Sequence, residues 1–445
     1  MLSFSIENFG CRATEADAAA LRRELLASGL TLADDHATAE VVVLNTCTVT
    51  SAADSQARDA VRKIHRANPA ARIIVTGCYA QRAPDELAAL DGVALVVGNS
   101  HQSQIPNLIG DLGASPRHTD FIPLERLGDD AMSLARGPAK ILTGDIFAQT
   151  GVTILAGTGA EGAPADRTRP ILKIQDGCNN RCSYCVIPFV RGRSRSLTPH
   201  AVIDEVRGLV KAGAREIVLS GINLGSYGRD LATRSALGDV VRRILDETGL
   251  EQLRFSSIEP QDVTEDFVAL VASSPRLAPH FHVPLQSGSD RILRAMHRWY
   301  RAAHYAERVR LIRRLLPDAA IGADVIVGFP GETDADFDAT AQFIADLPFT
   351  YLHVFSFSER PGTGAANLGE RVPAPVIRER ARALRALAEQ KSAAFRAAQA
   401  GRPLRALTLA RSGDDWTETL TGNYLKVRIP GRHPANEWHE VCLEY

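Results

Sequence analysis

The chain has almost no net charge, with 51 Lys and Arg against 52 Asp and Glu in 445 residues. Overall charge therefore argues neither for nor against a nucleic-acid partner. Long apolar runs are missing too: no uninterrupted stretch approaches a membrane span, and the N-terminus Met1-Leu2-Ser3-Phe4-Ser5-Ile6-Glu7 has no basic segment leading into an apolar one. The chain reads as cytoplasmic. Cysteine is scarce, at seven residues, and a chain of this size has no use for an odd, clustered set of bridges. Hydrophobic residues make up 45%, so the protein is not disordered. Its length exceeds one hydrophobic core and predicts about two to four domains.

The cysteines that are present fall into sets. Asp176-Gly177-Cys178-Asn179-Asn180-Arg181-Cys182-Ser183-Tyr184-Cys185 places three thiols on one short loop, separated by three and then two residues. Three Cys can hold three irons of a [4Fe-4S] cluster, and no fourth Cys follows nearby, so one iron stays open. An open iron can take a small ligand, such as the amino and carboxylate groups of S-adenosylmethionine, and can then pass an electron to its sulfonium. A closed zinc site is the competing reading; it needs four ligands, and the nearest candidate is His200.

Over residues 2–98, strands are expected near Ser3–Phe9, Val41–Leu44, Ile73–Thr76 and Ala94–Val97, with helices between them, as in a doubly wound α/β domain. Cys11, Cys47 and Cys78 each follow one of the first three strands. In a parallel sheet those carboxyl ends open on one side, where ligands gather near helix N-termini, so thiols more than thirty residues apart can converge. A second three-Cys [4Fe-4S] site is the inference, and three unrelated small core residues are the competing reading. Gly10 and Gly77 precede a Cys and are expected to let the backbone approach a bulky ligand. Cys442 stands alone at the end of a C-terminal strand and reads as a core thiol.

The pattern degrades between about Asn99 and Arg169, where Gly157–Ala165 is Gly/Ala/Pro-rich and marks a linker. From Ile171 to about Phe357, β-like runs recur at Ile171–Ile174, Glu216–Ser220, Leu253–Ser256, His280–Pro284, Ala320–Ile326 and Tyr351–Ser356, with helical spacing between most of them. Six strand-helix repeats predict a parallel sheet curved into a partial (β/α)6 barrel, with chemistry at the carboxyl ends of its strands. The candidate cofactor contacts there are Tyr184 on the cysteine loop, Gly221 and Asn223 after the second strand, Ser257 and Glu259 after the third, Gln286 after the fourth and Asp324 in the fifth. Gly328-Phe329-Pro330-Gly331-Glu332-Thr333 lacks the Lys-Ser/Thr of a phosphate loop. After an Ala/Arg/Leu-rich helix at Arg378–Gln399, short alternating strands predict a small antiparallel β domain that leans on the helix. Ten basic residues stand against two acidic ones between Arg371 and Arg411. That excess reads equally as a solvated helix face or as an RNA-facing patch; on the second reading Arg378, Arg382, Arg385, Tyr424, Lys426 and Arg428 are the candidate RNA contacts.

These residues together resemble the methylthiotransferases of the radical S-adenosylmethionine superfamily. The resemblance runs through Asn45-Thr46-Cys47-Thr48-Val49-Thr50, Val75-Thr76-Gly77-Cys78-Tyr79-Ala80-Gln81, Lys173-Ile174-Gln175-Asp176-Gly177-Cys178-Asn179, Pro284-Leu285-Gln286-Ser287-Gly288-Ser289, Gly328–Thr333 and Phe357-Ser358-Glu359-Arg360-Pro361-Gly362-Thr363. Gln175–Asn179 and Thr48–Thr50 look most like the branch acting on threonylcarbamoyladenosine beside the tRNA anticodon. The resemblance implies an N-terminal α/β domain at residues 1–112, a linker or insertion at 113–168, a radical-SAM barrel at 169–400 and a TRAM-like β domain at 401–445. It further implies two [4Fe-4S] clusters, one on Cys178, Cys182 and Cys185 and one on Cys11, Cys47 and Cys78, with S-adenosylmethionine as cosubstrate. The implied partners are tRNA, an external electron donor and a sulfur source, with no membrane and no DNA. Alternatives of the same chemistry act on isopentenyladenosine of tRNA or an aspartate of a ribosomal protein; those of a different class are an iron-sulfur electron carrier and a zinc RNA-binding protein. One departure stands out: the family's usual Asn soon after the first Cys is absent from Cys11-Arg12-Ala13-Thr14-Glu15, where Thr14 is expected to serve as a helix N-cap.

Overall fold

A computed structural model describes residues 2–113, 139–149, 151–152 and 168–443. The Gly157–Ala165 stretch lies outside them. The described residues form two compact units: the first holds those up to 152 together with Val186–Arg193, the second 168–185 with 194–443.

The first unit is a parallel sheet of β1 (Ser3–Phe9), β2 (Thr31–Leu32), β3 (Val41–Thr46), β4 (Arg72–Gly77), β5 (Val93–Gly98) and β6 (Lys140–Leu142), in the order β2-β1-β3-β4-β5-β6. Both faces are covered. On β3, Val41 and Val43 pack with Leu21 and Leu25 of helix Arg12–Ala27, while Val42 and Leu44 pack with Val61 and Ile64 of helix Ser51–Ala67. Burial on two sides explains why β3 is a continuous apolar run, Val-Val-Val-Leu, rather than an alternating one. The chain winds one way from β1 to β2 and the other way from β3 onward, so the topological switch point lies between β1 and β3. β6 falls inside the stretch read as a linker; three residues carry too short a pattern to be seen in sequence.

In the second unit, β7 (Ile171–Asp176), β8 (Arg195–Ser196), β9 (Glu216–Gly221) and β10 (Gln252–Phe255) form one sheet, and β11 (His280–His282), β12 (Ala320–Val327) and β13 (Tyr351–Ser356) a second. Parallel bridges Leu253↔Leu277 and Ser257↔His282 join them, so six parallel strands curve into the expected partial barrel, with β8 the antiparallel exception. Thr198, Thr264, Ser289 and Thr333 each accept a backbone N–H at the start of the helix that follows, which fixes where the crossover helices begin. Helix Glu265–Ala272 escaped the sequence reading.

Four antiparallel strands, β14 (Pro403–Ser412), β15 (Trp416–Thr421), β16 (Lys426–Pro430) and β17 (Trp438–Cys442), follow helix Ala374–Ala398 in the order β16-β15-β14-β17. Their core of Ala406, Leu425, Val427, Val441 and Leu443 takes in Phe395 of that helix, which is how so small a sheet finds enough apolar cover. Cys442 corrects its reading as a core thiol: it is exposed, because Val441 next to it takes the inward position of the alternation.

Arg254 ties the module to the barrel. Fully buried, it donates to Glu216 Oε1 at 2.7 Å and to the carbonyls of Gly422 and Thr421 at 2.8 and 3.1 Å. Arg254→Met leaves the buried Glu216 carboxylate to Arg169 at 3.3 Å and takes the donor from the Gly422 and Thr421 carbonyls, an expected loss of about 3 kcal/mol. Chemical denaturation checks this; a variant as stable as its parent contradicts it.

Candidate functional site

The three N-terminal thiols occupy the carboxyl ends of β1, β3 and β4, with Cys11 and Cys47 flanking the switch point. Backbone geometry forces the approach. Gly77 has φ +98°, and a Cβ there would stand 2.3 Å from the carbonyl oxygen of Thr46; a Cβ on Gly10 would stand 2.6 Å from Cys47 Cβ. These glycines make room for a neighbouring strand-end loop. Thr14 is corrected. The residue at the helix N-cap is Cys11; Thr14 sits a turn inside, fully buried, its hydroxyl donating to the Cys11 carbonyl at 2.8 Å. Asn45 Nδ2 holds the Thr14 carbonyl at 2.6 Å.

Hydrogen-bond donors surround the sulfurs of this trio. The Val49 amide approaches Cys47 Sγ at 3.5 Å, and Asn99 Nδ2 and Arg191 Nε approach Cys78 Sγ at 3.6 and 3.2 Å. Cys11 and Cys47 interact directly: the hydrogen bond from Cys47 draws the Cys11 thiol down to about 5 against the desolvation of its sulfur, helped by the Arg191 charge, while the same bond pushes Cys47 up. Burial raises Cys78.

The central trio follows β7 directly. Its loop is pinned by Ser183, whose N–H and hydroxyl donate to the carbonyls of Met296 and Ala295 at 3.0 and 2.8 Å and whose carbonyl accepts from Ala365 at 2.7 Å. Gln175 braces the start: its Nε2 donates to the carbonyls of Asp176 and Gly177 at 2.9 and 2.7 Å, and its Oε1 accepts the Asn223 amide at 2.7 Å. Gly221 is needed beside it, since a Cβ there would meet Gln175 Oε1 at 2.8 Å. The Asn180 amide reaches Cys178 Sγ at 3.4 Å and Arg298 Nη1 reaches Cys182 Sγ at 3.3 Å. Burial lifts Cys178 to about 11, partly opposed by hydrogen bonds from Asn180 and the Asn223 side chain.

Most of the other candidates gather around this loop and the carboxyl ends of the barrel strands. Glu259 pairs with Arg298, so one guanidinium links a cysteine to a carboxylate that burial pushes up. Tyr184 packs against Ile292, Met296, Phe329 and Ala365. Ser257 Oγ meets His282 Nδ1 at 2.7 Å, and His282 Nε2 faces Asp324 Oδ1 at 3.1 Å. His282, Asp324 and His353 form a group whose ligand atoms all lie within 4.8 Å of one another. Gln286 adopts φ +67° and its amide donates to the Asp324 carbonyl at 2.8 Å. Glu332 of the glycine-rich run turns back to the Gly328 amide at 2.6 Å and to Arg380 at 2.8 Å, a structural bracket.

Sequence reasoning passed over Arg191, Asn99 and His353, and attached no role to Arg298. Arg298 and Cys182 are 116 residues apart, a separation at which no spacing rule operates.

Arg378, Arg382 and Arg385 lie exposed on one face of their helix, and Lys426 and Arg428 are exposed on β16. Tyr424 is placed elsewhere: its ring stacks on His280 at 4.3 Å and lies under Arg254, in the seam with the barrel. The aromatic rings beside the module's arginines are Trp416, under Arg428 at 4.2 Å, and Trp438, under Arg405 at 3.8 Å.

The donor sets fit iron-sulfur clusters better than single ions. A tetrahedral zinc site brings its sulfurs to about 3.8 Å from one another. Among the described residues neither thiol trio gathers within even 4.8 Å, and His200 is exposed and faces Asp204. All seven cysteines are free thiols. Amide and guanidinium donors aimed at sulfur are what cluster thiolates require.

A partial parallel barrel whose first strand runs into a Cys-x3-Cys-x2-Cys loop defines a radical S-adenosylmethionine protein. Comparison with known proteins agrees: the Radical SAM superfamily model matches residues 172–344, and the model described as Uncharacterized protein family UPF0004 matches residues 3–98. The chain is 35% identical to the threonylcarbamoyladenosine tRNA methylthiotransferase of Aquifex aeolicus over 99% of this chain and 100% of that one. It is 34% identical to the Bacillus subtilis enzyme of the same name, over 97% and 91%. With a tRNA-2-methylthio-N(6)-dimethylallyladenosine synthase of Syntrophobacter fumaroxidans it shares 37% identity over 83% and 77%. Among solved structures, the radical S-adenosylmethionine methyltransferase TsrM of Kitasatospora setae matches with TM-score 0.59 at 16% identity, over 82% of this chain and 76% of that one, which shows the fold alone. The chain belongs to the methylthiotransferase family of the radical S-adenosylmethionine superfamily, and is an enzyme that inserts methylthio groups using a [4Fe-4S] cluster and S-adenosylmethionine.

In the metal-free protein, the drawn-down Cys11 thiol is ionised at pH 7 while Cys178, at about 11, is not. Iodoacetamide at pH 7 should therefore label Cys11 well before Cys178. Peptide mass spectrometry reads the order; equal or reversed labelling contradicts the assignment.

Proposed function

We propose that the enzyme methylthiolates C2 of N6-threonylcarbamoyladenosine next to the anticodon of tRNA. The observation that carries this reading is the end-to-end match to threonylcarbamoyladenosine enzymes, 99% of this chain against 100% of the Aquifex protein. The dimethylallyladenosine synthase named above matches over a smaller share of both chains, and its target is the second reading.

Cys178, Cys182 and Cys185 hold the cluster that binds S-adenosylmethionine, and Cys11, Cys47 and Cys78 hold a second that carries sulfur. When bound, these groups supply one-electron reduction of the sulfonium, hydrogen abstraction, and donation of sulfur and methyl. The protein's own part is placement. Ser183 and Gln175 fix the cysteine loop, Arg298 holds Cys182 and Glu259 together, and Ser257, His282 and Asp324 present a hydrogen-bonding wall at the strand ends, suited to a ribose or a base edge. Asn223 offers a buried side-chain carbonyl with no hydrogen-bond partner of its own, an acceptor suited to an amino group. On the module and the long helix, Arg378, Arg382, Arg385, Lys426 and Arg428 supply phosphate contacts, and Trp416 and Trp438 offer the stacking surfaces. An external electron donor and a sulfur source complete the cycle, and the setting is the cytoplasm, where tRNA is modified.

Mass spectrometry of tRNA nucleosides from strains with and without the gene tests the substrate. Loss of 2-methylthio-threonylcarbamoyladenosine alone is expected; loss of the methylthiolated isopentenyl nucleoside instead establishes the second reading. Cys47→Ala should still cleave S-adenosylmethionine reductively yet form no methylthio product, whereas Cys178→Ala should do neither. Product from Cys47→Ala would end the two-cluster scheme.

A further inference from the structure

Arg191 is one of the most deeply buried side chains of the first unit, at 2% exposure, and the ligand roles proposed so far do not account for it. It lies in the segment Val186–Arg193, which follows Cys185 directly in the chain and packs on the first unit through Val186 and Val190, beside Cys78. Its Nε donates to Cys78 Sγ at 3.2 Å and its Nη2 to Asp17 Oδ2 at 2.7 Å, Asp17 being 3% exposed. Asn99 completes the bracket, donating to Cys78 Sγ at 3.6 Å and to the Val190 carbonyl at 2.8 Å.

A buried guanidinium is costly to desolvate, and a simple structural ion pair can be replaced by apolar side chains without loss. Here, however, one edge of the guanidinium is directed at sulfur rather than carboxylate. Three thiolates and Asp17 would put four negative charges around one pocket, and Arg191 is a cation that meets both kinds. Cluster potentials respond to net charge and to hydrogen bonds on the ligand sulfurs. Reduction adds one negative charge to the cluster, so a cation at 3.2 Å from a ligand sulfur favours the reduced form and a neighbouring carboxylate opposes it.

We propose that Arg191 is a positioning residue for a [4Fe-4S] cluster on Cys11, Cys47 and Cys78: its guanidinium fixes Cys78 and raises the cluster's reduction potential, and Asp17 sets how far. This rests on the second cluster proposed above.

The test is an EPR-monitored redox titration of the anaerobically reconstituted full-length chain in which Cys178, Cys182 and Cys185 are all changed to Ala, leaving one trio to bind iron. About four irons per chain are expected. Added to that background, Arg191→Met should shift the reduction equilibrium at least tenfold toward the oxidised form, a fall of about 59 mV for a one-electron couple. Asp17→Asn should move it the opposite way, and Arg191→Lys, which keeps the charge, should stay near the parent. A purely structural ion pair would not give opposite signs. Unmoved midpoints, or shifts of the same sign in Arg191→Met and Asp17→Asn, overturn the proposal with the cluster intact. Absence of iron from the parent overturns the second cluster and this role together. Should Arg191→Met fail to fold, the Asp17→Asn and Arg191→Lys titrations still decide it.

Discussion

A parallel sheet buried on both faces leaves its chain little freedom except at strand ends. In the first unit, helices cover each side of β3 so completely that its side chains alternate between two apolar cores, and polar or reactive groups can collect only where the strands stop. Cys11, Cys47 and Cys78 stand at three such ends. The barrel obeys the same constraint, with Cys178, Cys182 and Cys185 on the loop after β7 and Ser257, His282 and Asp324 at or near the ends of later strands. Both thiol trios are placed by where parallel strands terminate.

Holding thiols at those ends has a second requirement, a supply of donors that offset negative charge on sulfur. Each trio meets it with backbone amides and one buried arginine: Val49 and Arg191 in the first unit, Asn180 and Arg298 in the second. Each arginine also contacts a carboxylate, Asp17 or Glu259. Two sites of unrelated topology thus arrive at the same solution, sulfur and carboxylate sharing one guanidinium. That shared solution is a physical reason to read both trios as anionic ligand sets rather than as packed thiols.

Much of this was legible in the sequence because it depends on local pattern. The six barrel strands, the parallel N-terminal sheet and the position of each cysteine after a strand follow from apolar runs and their spacing. What escaped depends on contacts between distant residues. Tyr424 reads as an exposed aromatic among basic residues, but its ring is taken up by His280 and Arg254 in a seam that only the folded barrel creates. That Gly77 leaves room for the Thr46 carbonyl is likewise visible only once β3 and β4 are paired. Thr14 has a cap residue's chemistry but lies inside the first turn, where its hydroxyl returns to the carbonyl of Cys11. Short elements such as β6 carry too few residues to show a period.

The central claim is that two cysteine trios each hold a four-iron cluster. Iron and acid-labile sulfide content of the anaerobically reconstituted wild-type chain, read together with its Mössbauer spectrum, tests it most directly. About eight irons per chain, all in [4Fe-4S] form, is the predicted result. About four irons, or zinc in place of either set, would contradict it.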